Sequence, residues 1–165
     1  MTDDALNARP VCDSQSEMTE IVLPNDANPL GSLLGGRLMH WMDLAAAMAA
    51  HRHSRAYAVT ASVDHIDFLV PVKVGDIVIL RSSVNRVFTT SMEIGVKVFV
   101  EDYIADSSRH VGSAYLTFVA VNRAGKHLMV PPVVPETDEQ RRRYDDAGRR
   151  REFRRAELER RRKAR

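Results

Sequence analysis

The sequence predicts an α+β domain in which one long helix packs on an antiparallel sheet. Three observations carry this. A helix-period apolar run extends from about Leu34 to His53, four stretches of two-residue alternation follow it, and no second apolar helix lies between them. At 165 residues the chain has room for one such domain and a tail.

Each element has a local reason. Met18–Leu23 reads as a first strand, ended by Pro24. Asn25 to Ser32 is dense in turn residues and cannot continue it. In the helix, Leu34, Leu38, Met42, Ala45, Ala46 and Ala49 recur at three- and four-residue spacing, with Ser32 as the expected N-cap. The alanines give a thin helix that a sheet can approach closely. Gly35-Gly36 weakens its start, which suggests that something approaches the backbone there. Tyr57–Phe68 and Ile77–Val87 read as strands separated by the turn-rich Pro71–Asp76. Met92 to Val100 and Val111 to Val121 alternate strictly, and Pro131, Pro132 and Pro135 close the sheet region. From Glu136 the pattern is helical again, nearly without apolar residues, and Gly148 is a candidate break. The expected organisation is a flexible leader over 1–16, a domain over 17–135 and an Arg-rich helix or tail over 136–165.

Charge is unevenly spread. Residues 141–165 hold 13 Lys and Arg against 5 Asp and Glu, while residues 1–140 hold 11 against 17. The body is acidic and the tail basic, as in interaction tails. No apolar run reaches the ~20 residues that span a bilayer, so no membrane partner is expected. A single cysteine, Cys12, and the lack of a signal-peptide pattern lead to an expectation of a cytoplasmic protein. His51 and His53, two apart on a helix, point to different faces, so no metal is expected.

Chemistry concentrates between Asn28 and Asp43. Asp43 sits among Trp41, Met42, Leu44 and Ala45, where a carboxylate is costly to bury unless it is paired or used. Gly35-Gly36 leaves backbone N–H groups open at a helix N-terminus, suited to a developing oxyanion. A carboxylate base, an amide and free N–H donors make a hydrolytic site without a Ser or Cys nucleophile. The alternative is an exposed Asp43 and glycines that only permit tight packing.

The same residues carry a resemblance. Asn28, Gly31, Gly35-Gly36, Leu38-Met39 and Trp41-Met42-Asp43, followed by the alanine-rich helix, resemble the opening of the hotdog-fold acyl-CoA thioesterases. The branch is that of brain acyl-CoA hydrolase and its single-domain bacterial relatives. Thr60 and Ser62, Asp64 to Phe68, Pro71–Asp76 and Thr90–Ile94 match further blocks in order, so the resemblance covers about Met18 to Pro132.

The resemblance implies a hotdog fold, the long helix wrapped by the sheet, and hydrolysis of fatty acyl-CoA to free acid and CoA. It implies a homodimer, assembled further into a hexamer as a trimer of dimers, with Asn28 of one chain meeting Asp43 of the other. Asp43 is expected as general base or nucleophile, Asn28 to orient water or polarise the carbonyl, and the Gly36 N–H to hold the oxyanion. Gly35, Thr60 and Ser62 are expected to position water or substrate. CoA phosphates need cations; Arg86 and Arg109, with Thr90 and Ser91, are the expected binding set, and Lys97 a weaker candidate. No separate cofactor is expected. Two other readings remain: a non-catalytic acyl-CoA-binding regulator, whose basic tail contacts nucleic acid, and a dehydratase. Retention of both Asn28 and Asp43 disfavours the regulator, and the tail lacks the aromatics of a nucleic-acid surface. Asn28 on the approach loop disfavours dehydration.

Overall fold

The computed structural model describes residues 7–164. Two short strands, β1 (Arg9–Pro10) and β7 (Val133–Val134), pair parallel at the periphery. The main sheet holds β2 (Ser16–Ile21), β3 (Tyr57–Phe68), β4 (Ile77–Val87), β5 (Ser91–Asp102) and β6 (Ser107–Val121). Its order is β2-β4-β5-β6-β3, antiparallel throughout, so β3 is an edge. Helix α1 (Gly35–Ser54) lies on one face and helix α2 (Asp138–Lys163) on the other.

The face under α1 is the hydrophobic core. Ala45, Ala46, Ala49 and Ala50 are fully buried against Val78, Leu80, Val84, Ile94, Val98 and Phe118. Small residues on the helix bring the backbones close enough for Ser82 Oγ to donate to the Ala45 carbonyl at 2.6 Å. Gly112 serves the same closeness on β6: a Cβ there would lie 2.7 Å from the Asp67 carbonyl oxygen. The helix starts at Leu34 as N-cap, with no side-chain cap; Ser32, expected in that role, instead accepts from Lys73 Nζ at 2.9 Å.

The N-terminal expectation needs correction. Residues 1–6 of the expected leader lie outside the described residues, but 7–16 are built into the fold. Arg9 N donates to the Pro132 carbonyl at 2.9 Å, and Val11 and Ser14 are buried. Ser14 Oγ donates to the Val11 carbonyl and accepts from Val84 N. One valine and one serine make no periodic pattern, so nothing local announces this contact.

Helix α2 is opened by a capping box between Thr137 and Gln140. Gly148 does not break it; a Cβ there would collide with the Arg86 guanidinium. Only Ala147 of α2 is buried, and the helix docks by charge and aromatic contact instead. Arg150 forks onto Glu93 at 2.7 and 3.1 Å and lies 3.7 Å over the Tyr115 ring. Arg154 pairs with Asp64. Arg150 does not pair with Asp146, one turn before it on the helix; Asp146 takes Arg142 and Arg149 instead.

Candidate active site

The segment before α1 is folded by Asp26. This buried carboxylate accepts from Leu23 N at 3.0 Å and pairs with Arg37 at 2.8 Å, fastening the loop to the first turn of the helix. Gly31 turns the chain at φ +72°, and Asn28 closes the turn. Its side-chain oxygen accepts from Leu30 N at 3.0 Å and Ser32 N at 3.1 Å. Two N–H donors fix that atom as the oxygen, so the amide nitrogen is the donor left over, without an acceptor among the described residues. Sequence reasoning misses Asp26; its signal is an acid in the third position of a Pro-initiated turn.

The glycines are not required by packing within the chain. Gly36 has open space where a Cβ would stand, and Gly35 has only ordinary contact with Phe68 at 3.8 Å. Arg37 N and Leu38 N both reach the Leu34 carbonyl, whereas the Gly35 and Gly36 N–H groups donate to nothing among the described residues. They are uncovered donors at the positive end of a 20-residue helix.

Two turns along, Asp43 is half-buried between exposed Met39 and Leu44. Thr60 Oγ1 on β3 donates to Asp43 Oδ1 at 2.7 Å, which orients the carboxylate and leaves Oδ2 open. Apolar side chains are exposed on the loop before α1, at the start of α1 and along β3: Leu30 is 83% exposed, and Leu34, Val59, Val63 and Phe68 are about half exposed. The outer edge of β3 carries no partner strand among the described residues. A long apolar edge strand beside a half-built polar site is a surface suited to a second copy of the chain.

Other expected residues fall elsewhere. Ser62 is turned away from Asp43. The ladder slips between Thr60 and Ser62, so Thr60 pairs with Phe118 on the α1 face while Ser62 pairs with Thr117 on the α2 face. One inserted residue reverses a strand's facing. Arg109 pairs with Val100, near the β5–β6 turn, at the opposite end of the sheet from Ser91, so it cannot share a phosphate cluster with Arg86 and Ser91 in one chain. Arg86 is held by α2, donating to the Tyr144 carbonyl at 3.3 Å. Ser91 Oγ accepts from Arg151 at 3.1 Å, and the Thr90 carbonyl accepts from Ala120 N. Lys97 pairs with Glu139 at 3.4 Å. No group of three or more metal-ligating side chains occurs among the described residues, and no helix among them is long and apolar enough to cross a membrane.

His53, weighed as a ligand, is a buried clamp. Its Nε2–H donates to the Pro131 carbonyl at 2.8 Å, while Nδ1 is buried without a partner among the described residues. Burial pushes its pKa below the ordinary value.

A family profile described as the thioesterase superfamily matches residues 30–104. An uncharacterized acyl-CoA thioester hydrolase of Bacillus subtilis, YkhA, is 43% identical over 128 residues, 78% of this chain and 74% of that protein. The acyl-CoA hydrolase from Staphylococcus aureus, solved in complex with butyryl coenzyme A, coenzyme A and coenzyme A disulfide, superposes with a TM-score of 0.89. It is 36% identical, with 95% of this chain and 96% of that one covered. An apo-hexameric acyl-CoA thioesterase also gives 0.89, at 36% identity over 93% and 98% of the two chains. The chain spans 26% and 25% of the length of two mouse thioesterases that it also matches.

Proposed function

This chain belongs to the thioesterase superfamily, within its acyl-CoA thioester hydrolases, and from that premise we propose that it cleaves fatty acyl-CoA to free acid and coenzyme A with Asp43 as general base. The observation that carries the assignment is the Thr60–Asp43 hydrogen bond at 2.7 Å, beside the exposed Met39 and Leu44. Thr60 holds one carboxylate oxygen, so the other faces the space where a water would attack. The base takes a proton from that water as its oxygen adds to the thioester carbon. Charge then builds on the carbonyl oxygen. The Gly36 N–H and the Asn28 amide are the donors suited to receive it. Collapse of the adduct expels the CoA thiolate, and the proton returns to the leaving sulfur. Direct attack by Asp43 Oδ2 is the second reading: the CoA thiolate leaves as a mixed anhydride forms, and water then hydrolyses the anhydride to free acid and restores the carboxylate; Thr60 leaves Oδ2 free for that as well.

Within one chain Asn28 and Asp43 do not touch. We assign the complete site to the seam of a two-fold dimer formed along the β3 edges, with Asn28 from one subunit and Asp43 from the other. Symmetry gives two equivalent sites. The hexameric relatives support self-association, and a trimer of such dimers is the assembly we propose.

Release of free thiol from a panel of acyl-CoAs, acetyl to palmitoyl, tests the activity. Mixing Asn28→Ala and Asp43→Ala subunits tests the seam. Each must first be shown inactive, folded and dimeric. A mixed dimer then has one site with both lesions and one with neither, so random pairing restores roughly a quarter of wild-type activity. No recovery despite proven mixed dimers refutes the shared site.

A further inference from the structure

Three guanidiniums gather at the β4–β5 turn, none of them ion-paired among the described residues; Glu93, the ladder partner of Arg86, is taken by Arg150. Arg86 lies 4.3 Å over the Tyr144 ring and 5.7 Å over the Phe88 ring. Arg151 lies 4.1 Å over the same Phe88 ring and donates to Ser91 Oγ at 3.1 Å. Arg155, one helical turn on, is exposed and has neither hydrogen bond nor ion pair among the described residues. Nearby cations on α2 are neutralised: Arg150 by Glu93, Arg154 by Asp64, Arg143 by Glu139. Glu152 and Glu159, on the same helix, are exposed and pair with none of the three.

The crowding has an electrostatic signature. Partial burial, and then the charges of Arg154, Arg155 and Arg86, lower the pKa of Arg151. At the adjacent Arg150 burial acts the same way, but the Glu93 hydrogen bond and charge outweigh it and raise the pKa. Like charges held together on a partly buried surface favour a counter-ion. Planar guanidinium forks suit phosphate oxygens, which they engage two at a time.

The cluster also lies near the reacting end of the molecule. Phe118 pairs with Thr60 on β3 and with Met92 on β5, the residue after Ser91. The Asp43–Thr60 pair and the arginines are therefore at one end of the sheet, on opposite faces. Coenzyme A has a long flexible arm between its thiol and its phosphates.

We propose that Arg86, Arg151 and Arg155 receive the phosphates of coenzyme A, the arm of the substrate rounding this end of the sheet toward a thioester site. The proposal rests on the hydrolase reading above and adds two residues of α2 to the expected CoA set.

The test compares hexanoyl-CoA with S-hexanoyl-N-acetylcysteamine, a thioester without phosphate, on wild type, R155Q and R151Q/R155Q. In the double variant KM for the CoA ester is expected to rise about tenfold more than KM for the short thioester. R155Q alone, at a side chain with no hydrogen bond or ion pair among the described residues, gives part of that rise. Arg162→Gln, an exposed cation further along α2, controls for general charge. An equal rise for both thioesters means a structural effect and overturns the proposal, as does no rise for either. Calorimetric titration separates the sources of phosphate. Inorganic pyrophosphate is expected to compete with CoA on wild type and to lose binding in the double variant. Pyrophosphate binding without competition assigns the cluster to a free phosphate ligand and overturns the coenzyme reading. If wild type releases no thiol from any acyl-CoA, the hydrolase reading fails, while the CoA and pyrophosphate titrations still decide the cluster.

Discussion

The two faces of the sheet are covered by helices of opposite character. Helix α1 is pressed into its face by four fully buried alanines, whereas α2 buries one alanine and holds its face with arginines. On the α1 side, energy comes from apolar area and close fit, and the sheet has no other partner for that surface. On the α2 side the uncovered groups would be Glu93, Asn85 and Thr117, which water can solvate. Damage to the α2 face therefore has a ceiling, the free energy of docking α2, because the helix can let go. Damage to the α1 face has none.

The largest expected effect is chemical and belongs to the α1 side. Asp43→Asn keeps shape and removes the base, so kcat is expected to fall by ~10²-fold or more while CoA binding measured by calorimetry is largely kept. Near wild-type turnover would remove Asp43 from the role.

Next comes fit. Ala46→Leu inserts three carbons where the exposure is 0%, and is expected to cost about 1–3 kcal/mol in urea unfolding. On the opposite face, Glu93→Ala leaves Arg150 without its partner and is expected to cost about 2 kcal/mol at most. A chain ending at Glu136 should fold and still hydrolyse the thioester, with a stability near that of Glu93→Ala. In this shortened chain Glu93→Ala should cost almost nothing. If it costs as much as in the full chain, α2 is not the source of Glu93's contribution and the contrast between the faces fails. Because the shortened chain also lacks Arg151 and Arg155, its KM should rise as in the double variant.

The smallest effect concerns His53, at the C-terminal end of α1. Its folded pKa lies below the ordinary 6.5. As pH falls, the unfolded chain takes up this proton first, so stability is full above about pH 6.5 and declines toward the lower folded pKa. Melting curves at pH 7.5 and 5.5 should show a loss of a few degrees that is reduced in His53→Gln, which keeps a donor for Pro131. An unchanged loss in that variant points to other titrating groups.

Much of the fold is legible in the residues themselves. Pattern and turn chemistry bound Tyr57–Phe68 and Ile77–Val87 correctly, and α1 to within one residue at each end, because both signals are local. The candidate site is half legible. Asn28, Gly36 and Asp43 stand out as polar or flexible residues in an apolar stretch, and Thr60 meets Asp43 across the helix–sheet contact.

The sequence alone thus determined the order of elements, the alanine helix, and the segment where chemistry concentrates. Each of these is written in residues a few positions apart. Tertiary structure decided the rest: Ser62's facing through a one-residue bulge, residues 7–16 as part of the fold, and the docking of the basic tail. Arg150 meets Glu93 across 57 positions. Such a contact depends on one side chain at each end, repeats with no period, and acquires its energy only when the sheet has brought the two together.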